Sequence, residues 1–539
     1  MIDILIDSNA IYTGVDGKPF TGSIKIHKNI ITEVKKEKAS QEEIDNAKRY
    51  LDFGDKLVLP GLSDAHVHYS SGAYMVGGNF VENLFDAKSA EECVSFAKEY
   101  LDQNPDLETV LGLGWFNSLW ENDALPDKSI IDKVIPDKPV YLMNVDGHAY
   151  WLNSKALEEC NITRDTEVQF GAIGKDENGE PNGLLFENEA TGLCTDKAIS
   201  LTSEELQNAQ CILLDEISKW GLTSISDLAT NSVLTNENTI YESTQRLLDD
   251  GRLTARINFW PAMGLTENFE EQKQSMKKYD SDMFRVCGLK QYVDGVTSTY
   301  TGYLLEPYED NPETCGASNY SADFYDKIIT AANKQGLPVR LHCIGDGAVR
   351  IALDAFEKSK KENVNYLDLN NSIEHIENID EKDIPRLKEL NVIASVQPCH
   401  LPLDENEKIS RIGKERCRYE WPFKSFEDID VTMAFGTDSP LVSLNPFLNI
   451  HAAITRCDAE GNPTGVNPQE KISLESAINS YTLGSAISNG MEDKLGTLEN
   501  GKLADITIIN NNLFEIDEND IPKTEAVMTI VDGKIVYEK

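Results

Sequence analysis

The chain opens on short runs in which apolar and polar residues alternate, "DILIDSNAIYTGVDGKPFTGSIKIHKNIITEVKK", broken at "DGKP" and "HKN". A period of two punctuated by Gly, Pro and Asn predicts antiparallel hairpins. The far end has the same texture in "GKLADITIINNN" and "AVMTIVDGKIVYEK", where "DG" predicts a tight turn. Two all-β ends around a long middle predict one small β-sandwich built from residues 1–60 and 490–539.

Residues 61–489 alternate short apolar strands with helical stretches, the pattern of a parallel sheet or barrel. Ten runs read as strands: "LSDAHVH", "VLGLGWF", "VYLMNV", "SISDL", "RINFW", "LKQYV", "VRLHCI", "NSIEHI", "IASVQP" and "MAFGTD". An eight-stranded barrel needs two fewer. "VLGLGWF" and "VYLMNV" fall in a region rich in Asn, Asp and Gly turns. Residues from about 79 to 200 therefore read as an insertion after barrel strand 1, its strands over the barrel mouth rather than in the ring. The predicted fold is α/β: a (β/α)8 TIM-like barrel, a β-sandwich from both chain ends, and this insertion.

Composition narrows the partners. The 539 residues, 40% hydrophobic and 26% charged, describe an ordinary globular protein of more than one domain. A net charge of −41 argues against nucleic acid and anionic membrane as partners, since phosphates would be repelled. The ten cysteines form no C-x-x-C, which speaks against a thiolate zinc site and fits reduced thiols of a cytosolic protein. The start has no basic n-region, so no signal peptide is expected. No apolar run approaches the roughly 18 residues of a membrane span, and a cytoplasmic location is the expectation. The expected partner is a small-molecule substrate, with a homodimer as the default assembly.

Only 8 residues are histidine, yet "LPGLSDAHVHYS" holds two of them, one residue apart. On a strand His66 and His68 would face the same way, either as a polar strand end or as a pair gripping one ion. The numbering of the strands adds to this. Lys290 falls on strand four, His342 on strand five, His375 on strand six and Asp438 on strand eight. Barrels place reactive groups at the C-terminal strand ends, so the six would converge. Imidazoles with a carboxylate suit zinc or a similar divalent transition ion rather than magnesium or calcium. Lys290 is the odd member: its amine either stays out of the ion's shell or has been converted to an anion.

The stretches "VLPGLSDAHVHYS", "DGHAYWLNSKAL", "LKQYVDGVTSTYTG", "LHCIGDGA", "IEHIE", "SVQPCH", "FGTDSP", "AAITR" and "GTLENGKLADITII" occur in one order along the chain. Together they resemble the amidohydrolase superfamily, in the amidohydrolase family 3 or YtcJ-like branch that includes N-substituted formamide deformylases. The resemblance implies the barrel and the sandwich. It also implies His66, His68, His342, His375 and Asp438 as ligands of one or two zinc ions, and Lys290 as an N6-carboxylysine bridging two ions. Thr437 stands where serine is frequent in the family, beside an intact Asp438.

The implied chemistry is hydrolysis of a non-peptide C–N bond. Water acidified to a pKa of about 7 is the nucleophile, and the metal polarises the carbonyl. Asp438 takes the proton and returns it to the leaving amine. A deaminase of a cyclic amidine is the alternative within the superfamily, but such enzymes commonly use one metal and a separate Glu. A non-catalytic scaffold is a third reading, against which all six candidate ligands stand. His148 and Trp115 read as pocket residues or as packing of the insertion, and Trp151 likewise. His400, after strand seven, reads as a substrate contact. Asp346 either orients His342 or caps a helix, and Asp64 either supports the site or forms a turn. His27 and His451 read as structural. The acidic "DENE" and "EIDENDIP" read as solvated loops.

Overall fold

The computed structural model describes residues 2–539 except 78–79, 82–83, 118–119, 121–123, 146, 148, 169–170, 195–200 and 230–236, and leaves aside the side chains of 188, 237 and 404–407. The chain divides into two compact units: Met1–His68, Leu214–Leu228 and Leu247–Lys539 form the first, Tyr69–Leu213 and Ala229–Arg246 the second. The second unit thus begins at Tyr69 rather than at about 79, and takes in a segment distant in sequence. No helix among the described residues is long and apolar enough to cross a membrane.

In the first unit the two chain ends share one eight-stranded sheet. Its order is Lys534–Glu538, Ala526–Val531, Ile506–Ile509, Leu57–Pro60, Ile2–Ile11, Phe20–His27 and Ile30–Lys35, with Ala47–Asp52 also paired to Ile2–Ile11. The sheet branches at Ile2–Ile11. The branch arises because Ile2–Ile11 is long enough to pair with two partners. Residues 2–7 run parallel to Ala47–Asp52, and Ala10 and Ile11 pair with Leu57 and Val58. Ile4, Ile6, Ile24, Ile26, Ile506, Ile508, Met528 and Ile530 fill the interior, in i, i+2 pairs that follow the alternation of the sequence. Each such buried side chain stabilises by about 1.5–3 kcal/mol before entropy is counted. The "DG" turn forms as expected: Asp532 and Gly533 have φ of 51° and 71°, the positive pair a two-residue hairpin needs.

Two further sheets of this unit are wholly parallel. One has the order Phe284–Val286, Arg256–Trp260, Leu222–Leu228, Leu62–Val67; the other runs Leu289–Tyr292, Val339–Cys343, Ser372–His375, Ile393–Val396, Met433–Phe435. Single parallel bridges connect the two sheets: Val67, on the edge strand Leu62–Val67, with Ser439, and Ala262, just after Arg256–Trp260, with Lys290. Helices follow the strands of the second sheet, among them Asp346–Glu362 and Pro446–Thr455.

The second unit holds a six-stranded sheet ordered Ala172–Lys175, Pro181–Phe186, Ala149–Leu152, Val140–Asn144, Val110–Trp115, Phe80–Val81. "VLGLGWF" and "VYLMNV" lie in it, outside the two parallel sheets. Trp115, Trp120 and Trp151 pack against one another in its core, with ring centroids 5.9–6.5 Å apart. Trp115 is 1% exposed and its indole N–H donates to the Leu142 carbonyl at 2.8 Å. Of its two readings, pocket residue or packing of the insertion, these contacts are those of packing.

Candidate metal centre

Strand Leu62–Val67 turns His66 and His68 inward, and the backbone of the last parallel strand comes close beside them. Gly436 makes that approach possible, because a Cβ there would lie 2.5 Å from His66 N and Cβ. Asp438 N–H then donates to His66 O at 2.7 Å, and His68 N–H to Ser439 O at 2.7 Å. Asp64 ties the two segments together: its carboxylate accepts from Thr437 Oγ1 at 2.7 Å, from Thr437 N at 3.1 Å and from His66 N at 3.0 Å. Burial pushes the Asp64 carboxyl up to about 7 against those hydrogen bonds. Asp64 therefore supports the site, and the hydroxyl of Thr437 serves it directly.

The orientation of each imidazole is set by its Nδ1. That of His66 lies 2.7 Å from Glu374 Oε2, and that of His68 lies 2.8 Å from the Leu228 carbonyl. Both acceptors require Nδ1–H, so in the neutral imidazoles both Nε2 atoms present lone pairs. Those atoms meet at Asp438 Oδ1, at 3.4 Å from His66 and 2.8 Å from His68. Three lone pairs aimed at one point repel unless positive charge, a proton or a cation, lies between them. The donor atoms of His66, His68 and Asp438 all lie within 4.8 Å of one another, and all three residues are buried. This donor set fits a divalent transition ion. Burial would raise the Asp438 carboxyl, but the facing imidazoles of His66 and His68 hold it well below its ordinary range.

The other expected residues gather at the same place. The His375 ring centroid lies 4.8 Å from that of His66 and 4.4 Å from that of His342. Burial, then the neighbouring His342 and His66, push His375 well below its ordinary value, and its buried Nδ1 makes no hydrogen bond. His342 Nε2 faces Gly295 O at 3.2 Å, and its ring packs on Tyr292 at 4.8 Å. Lys290 is 1% exposed; its Nζ makes no hydrogen bond and sits 5.0 Å from the Tyr292 ring. Burial lowers the Lys290 amine to about 8, although Glu374 and Asp438 pull the other way. His375, Ile376 and Asp438 all carry positive φ, of 73°, 47° and 65°. Such conformations are costly for non-glycine residues and concentrate where function over-determines the backbone.

His400 stands at the edge of this group, its Nε2 3.9 Å from Asp438 Oδ2 and its Nδ1 3.9 Å from Glu377 Oε1. His375, Glu377 and His400 also bring donor atoms within 4.8 Å of one another. Lys408, however, places its ammonium directly on Glu377 and donates to Thr297 Oγ1 at 2.9 Å. That cation disfavours a second one at Glu377. Sequence reading missed Glu374, Glu377, Lys408 and Arg340. It also missed Asp294, whose carboxylate accepts from the N–H groups of Ile344, Gly345 and Tyr303 at 2.9–3.0 Å, shaping the loop after His342. Asp346 neither orients His342 nor caps its helix; it accepts from Leu305 N at 2.9 Å. His148 lies outside the described residues. His27 pairs with Asp3 at 2.7 Å, and His451 is buried within a helix.

A family model described as "Amidohydrolase family" matches residues 49–537. The putative amidohydrolase YtcJ of Bacillus subtilis is 27% identical over 98% of this chain and 98% of its own length. The N-substituted formamide deformylase of Arthrobacter pascens is 23% identical, covering 91% of this chain and 90% of that protein. Among solved structures, an uncharacterized metal-dependent hydrolase from Pyrococcus furiosus superimposes with a TM-score of 0.72 at 26% identity, over 94% of this chain and 99% of that one.

Proposed function

The chain belongs to the amidohydrolase family, and from that premise we propose that it is a metal-dependent hydrolase of a non-peptide C–N bond in a small molecule. The observation that carries the reading is the convergence of the two Nε2 atoms, of His66 and His68, on Asp438 Oδ1. We read the two parallel sheets as one (β/α)8 ring, with residues 284–292 as a single broken strand. The bridges Val67–Ser439 and Ala262–Lys290 support closure at the two seams.

His66, His68 and Asp438 would hold a first ion, with zinc favoured by the donor set. His342, His375 and Lys290 as an N6-carboxylysine would hold a second. Ions bound there supply Lewis acidity toward a carbonyl and lower the pKa of water to about 7. The chain's own part is proton handling and orientation. Asp438 Oδ1 is turned to His66 and His68, so Oδ2 is the oxygen that takes the proton of the attacking water. As the new C–O bond forms and the C–N bond breaks, Asp438 returns that proton to the departing nitrogen. The products are a carboxylic acid and an amine. His400, 3.9 Å from Asp438 Oδ2, would contact the substrate on that side.

The test is a screen of N-substituted formamides, N-acyl amino acids, cyclic amides and cyclic amidines, followed by Asp438→Asn on the best substrate. The variant should keep its fold and lose about 10²–10⁴-fold in turnover. Near-normal turnover would remove Asp438 from the mechanism, and turnover of amidines alone would favour a deaminase.

A further inference from the structure

Building on the metal reading above, we propose that Glu374, clamped by Arg340, is a positioning residue that makes His66 the stronger and His68 the weaker of the paired donors. The two imidazoles differ in what holds their Nδ1–H. His66 donates to a carboxylate at 2.7 Å, His68 to the neutral Leu228 carbonyl at 2.8 Å. A charge-assisted bond is roughly twice as strong as a neutral one. A carboxylate on the far nitrogen also raises the basicity of the ligating one. His66 therefore presents the more electron-rich Nε2.

Glu374 can play this part only if it stays ionised and fixed, and its surroundings do both. It has no exposure, yet its Oε1 accepts from Ser372 Oγ at 3.1 Å and lies 3.7 Å from Arg340 Nη1. The guanidinium and the hydroxyl flank that oxygen, while the other oxygen takes the His66 Nδ1–H. Arg340 is itself immobilised. Its Nη2 donates to Ser488 O, Ser488 Oγ and Asn489 Oδ1 at 3.0–3.2 Å, and its guanidinium lies 4.1 Å from the Trp260 ring centroid. Its Nη1 donates to Ala65 O at 2.7 Å, on the residue just before His66. One guanidinium thus holds the backbone beside His66 and, through Glu374, the far side of its ring. Two points of support fix both the position and the tautomer of the ligand.

The test is Zn²⁺ affinity of the full chain, stripped of metal and titrated in competition with a chromophoric chelator. Glu374→Gln keeps the shape and an acceptor oxygen but removes the charge. It should bind Zn²⁺ about 10–100-fold more weakly, with an unchanged far-ultraviolet circular dichroism spectrum. His66→Ala should lose at least about 10-fold more affinity than His68→Ala. This comparison stands even if Glu374→Gln fails to fold. A folded Glu374→Gln protein within about two-fold of wild type, or equal losses in the two histidine variants, overturns the proposal. A wild-type chain that takes up no Zn²⁺ instead overturns the metal reading on which it rests.

Discussion

Lys290 offers the sharpest perturbation, because its plain and modified forms differ in charge. An ammonium beside divalent ions in a buried pocket is strongly unfavourable, whereas a carbamate is an anion with two oxygens. The modification forms when the neutral amine attacks carbon dioxide; the new N–C bond leaves one proton to be shed from nitrogen. The structure favours the attacking form, since burial first of all holds the amine at about 8. At pH 8 about half of it is neutral, against about 0.3% for an ordinary lysine, an enrichment on the order of 10²-fold. At pH 6 the neutral share falls to about 1%, so carboxylation of the metal-free chain should be about 50-fold slower there. The assay is reconstitution with Zn²⁺ under a fixed headspace of carbon-13 carbon dioxide, following the carbamate carbon by NMR at both pH values. Fixing the headspace matters, because dissolved carbon dioxide at fixed total carbonate would itself change with pH. Lys290→Ala should carry less metal and lose about 10²-fold or more in turnover, with partial recovery from added short carboxylic acids. A fully metallated, active wild-type enzyme with no carbamate carbon at pH 8 would refute the reasoning. It would leave a mononuclear hydrolase built on His66, His68, His342, His375 and Asp438.

Three further outcomes follow from other parts of the structure. His66→Ala combined with His68→Ala should remove most of the bound metal, read by plasma emission spectroscopy; undiminished metal content would rule out the strand Leu62–Val67 as the site. Arg256, 1% exposed, pairs both Nε and Nη2 with Asp505 at 2.7 and 2.8 Å, joining a parallel strand to the C-terminal part of the chain. Asp505→Ala would leave Arg256 with Asp532 Oδ1 at 3.2 Å and the Asp282 carbonyl at 2.9 Å, and should cost about 1.5–3 kcal/mol, visible as a lower urea midpoint; an unchanged midpoint counts against the pair as a structural tie. Burial pushes the Glu420 carboxyl up to about 8, with Glu377 adding to the effect and Lys408 opposing it. A carboxyl whose folded pKa lies above its unfolded value binds more protons when folded, so its contribution to stability falls as pH rises from about 4.5 to about 8. Glu420→Gln should flatten that slope in urea titrations across pH 5–8, and an identical slope would show that Glu420 is not its source.

What the sequence reveals of the site depends on how rare the residue type is and how local its signal. His66 and His68 were legible because two of the 8 histidines sit one residue apart at a strand end. The strand count then brought Lys290, His342, His375 and Asp438 to the same end of the sheets. Glu374 was hidden by the same alternation rule that exposed the pair. On a strand, neighbours 374 and 375 face opposite ways, yet both serve the site. The backbone breaks the rule at that point, with positive φ at His375 and Ile376, and no glycine or asparagine announces it. Arg340 was hidden for a different reason: a fully buried arginine inside "VRLHCI" is improbable without a partner, and its partners are at Ala65, Glu374, Ser488 and Asn489.

The same logic explains the second unit. Its strands Ala149–Leu152 and Ala172–Lys175 are four residues each, too short to show a period, and pairing makes them strands: both with Pro181–Phe186, the first also with Val140–Asn144. Trp115 kept two readings in the sequence because an aromatic in an apolar run looks alike whether it lines a pocket or a core; its packing against Trp120 and Trp151 is visible only in the fold. Residues that do chemistry are scarce types at strand ends, and a single chain can display them. Residues that hold them are common types whose meaning lies in a contact such as His66 with Glu374, 308 positions apart. The part of the site that orients its imidazoles is thus written in pairings that only the folded chain brings together, which is where variants of Glu374 and Arg340 become informative.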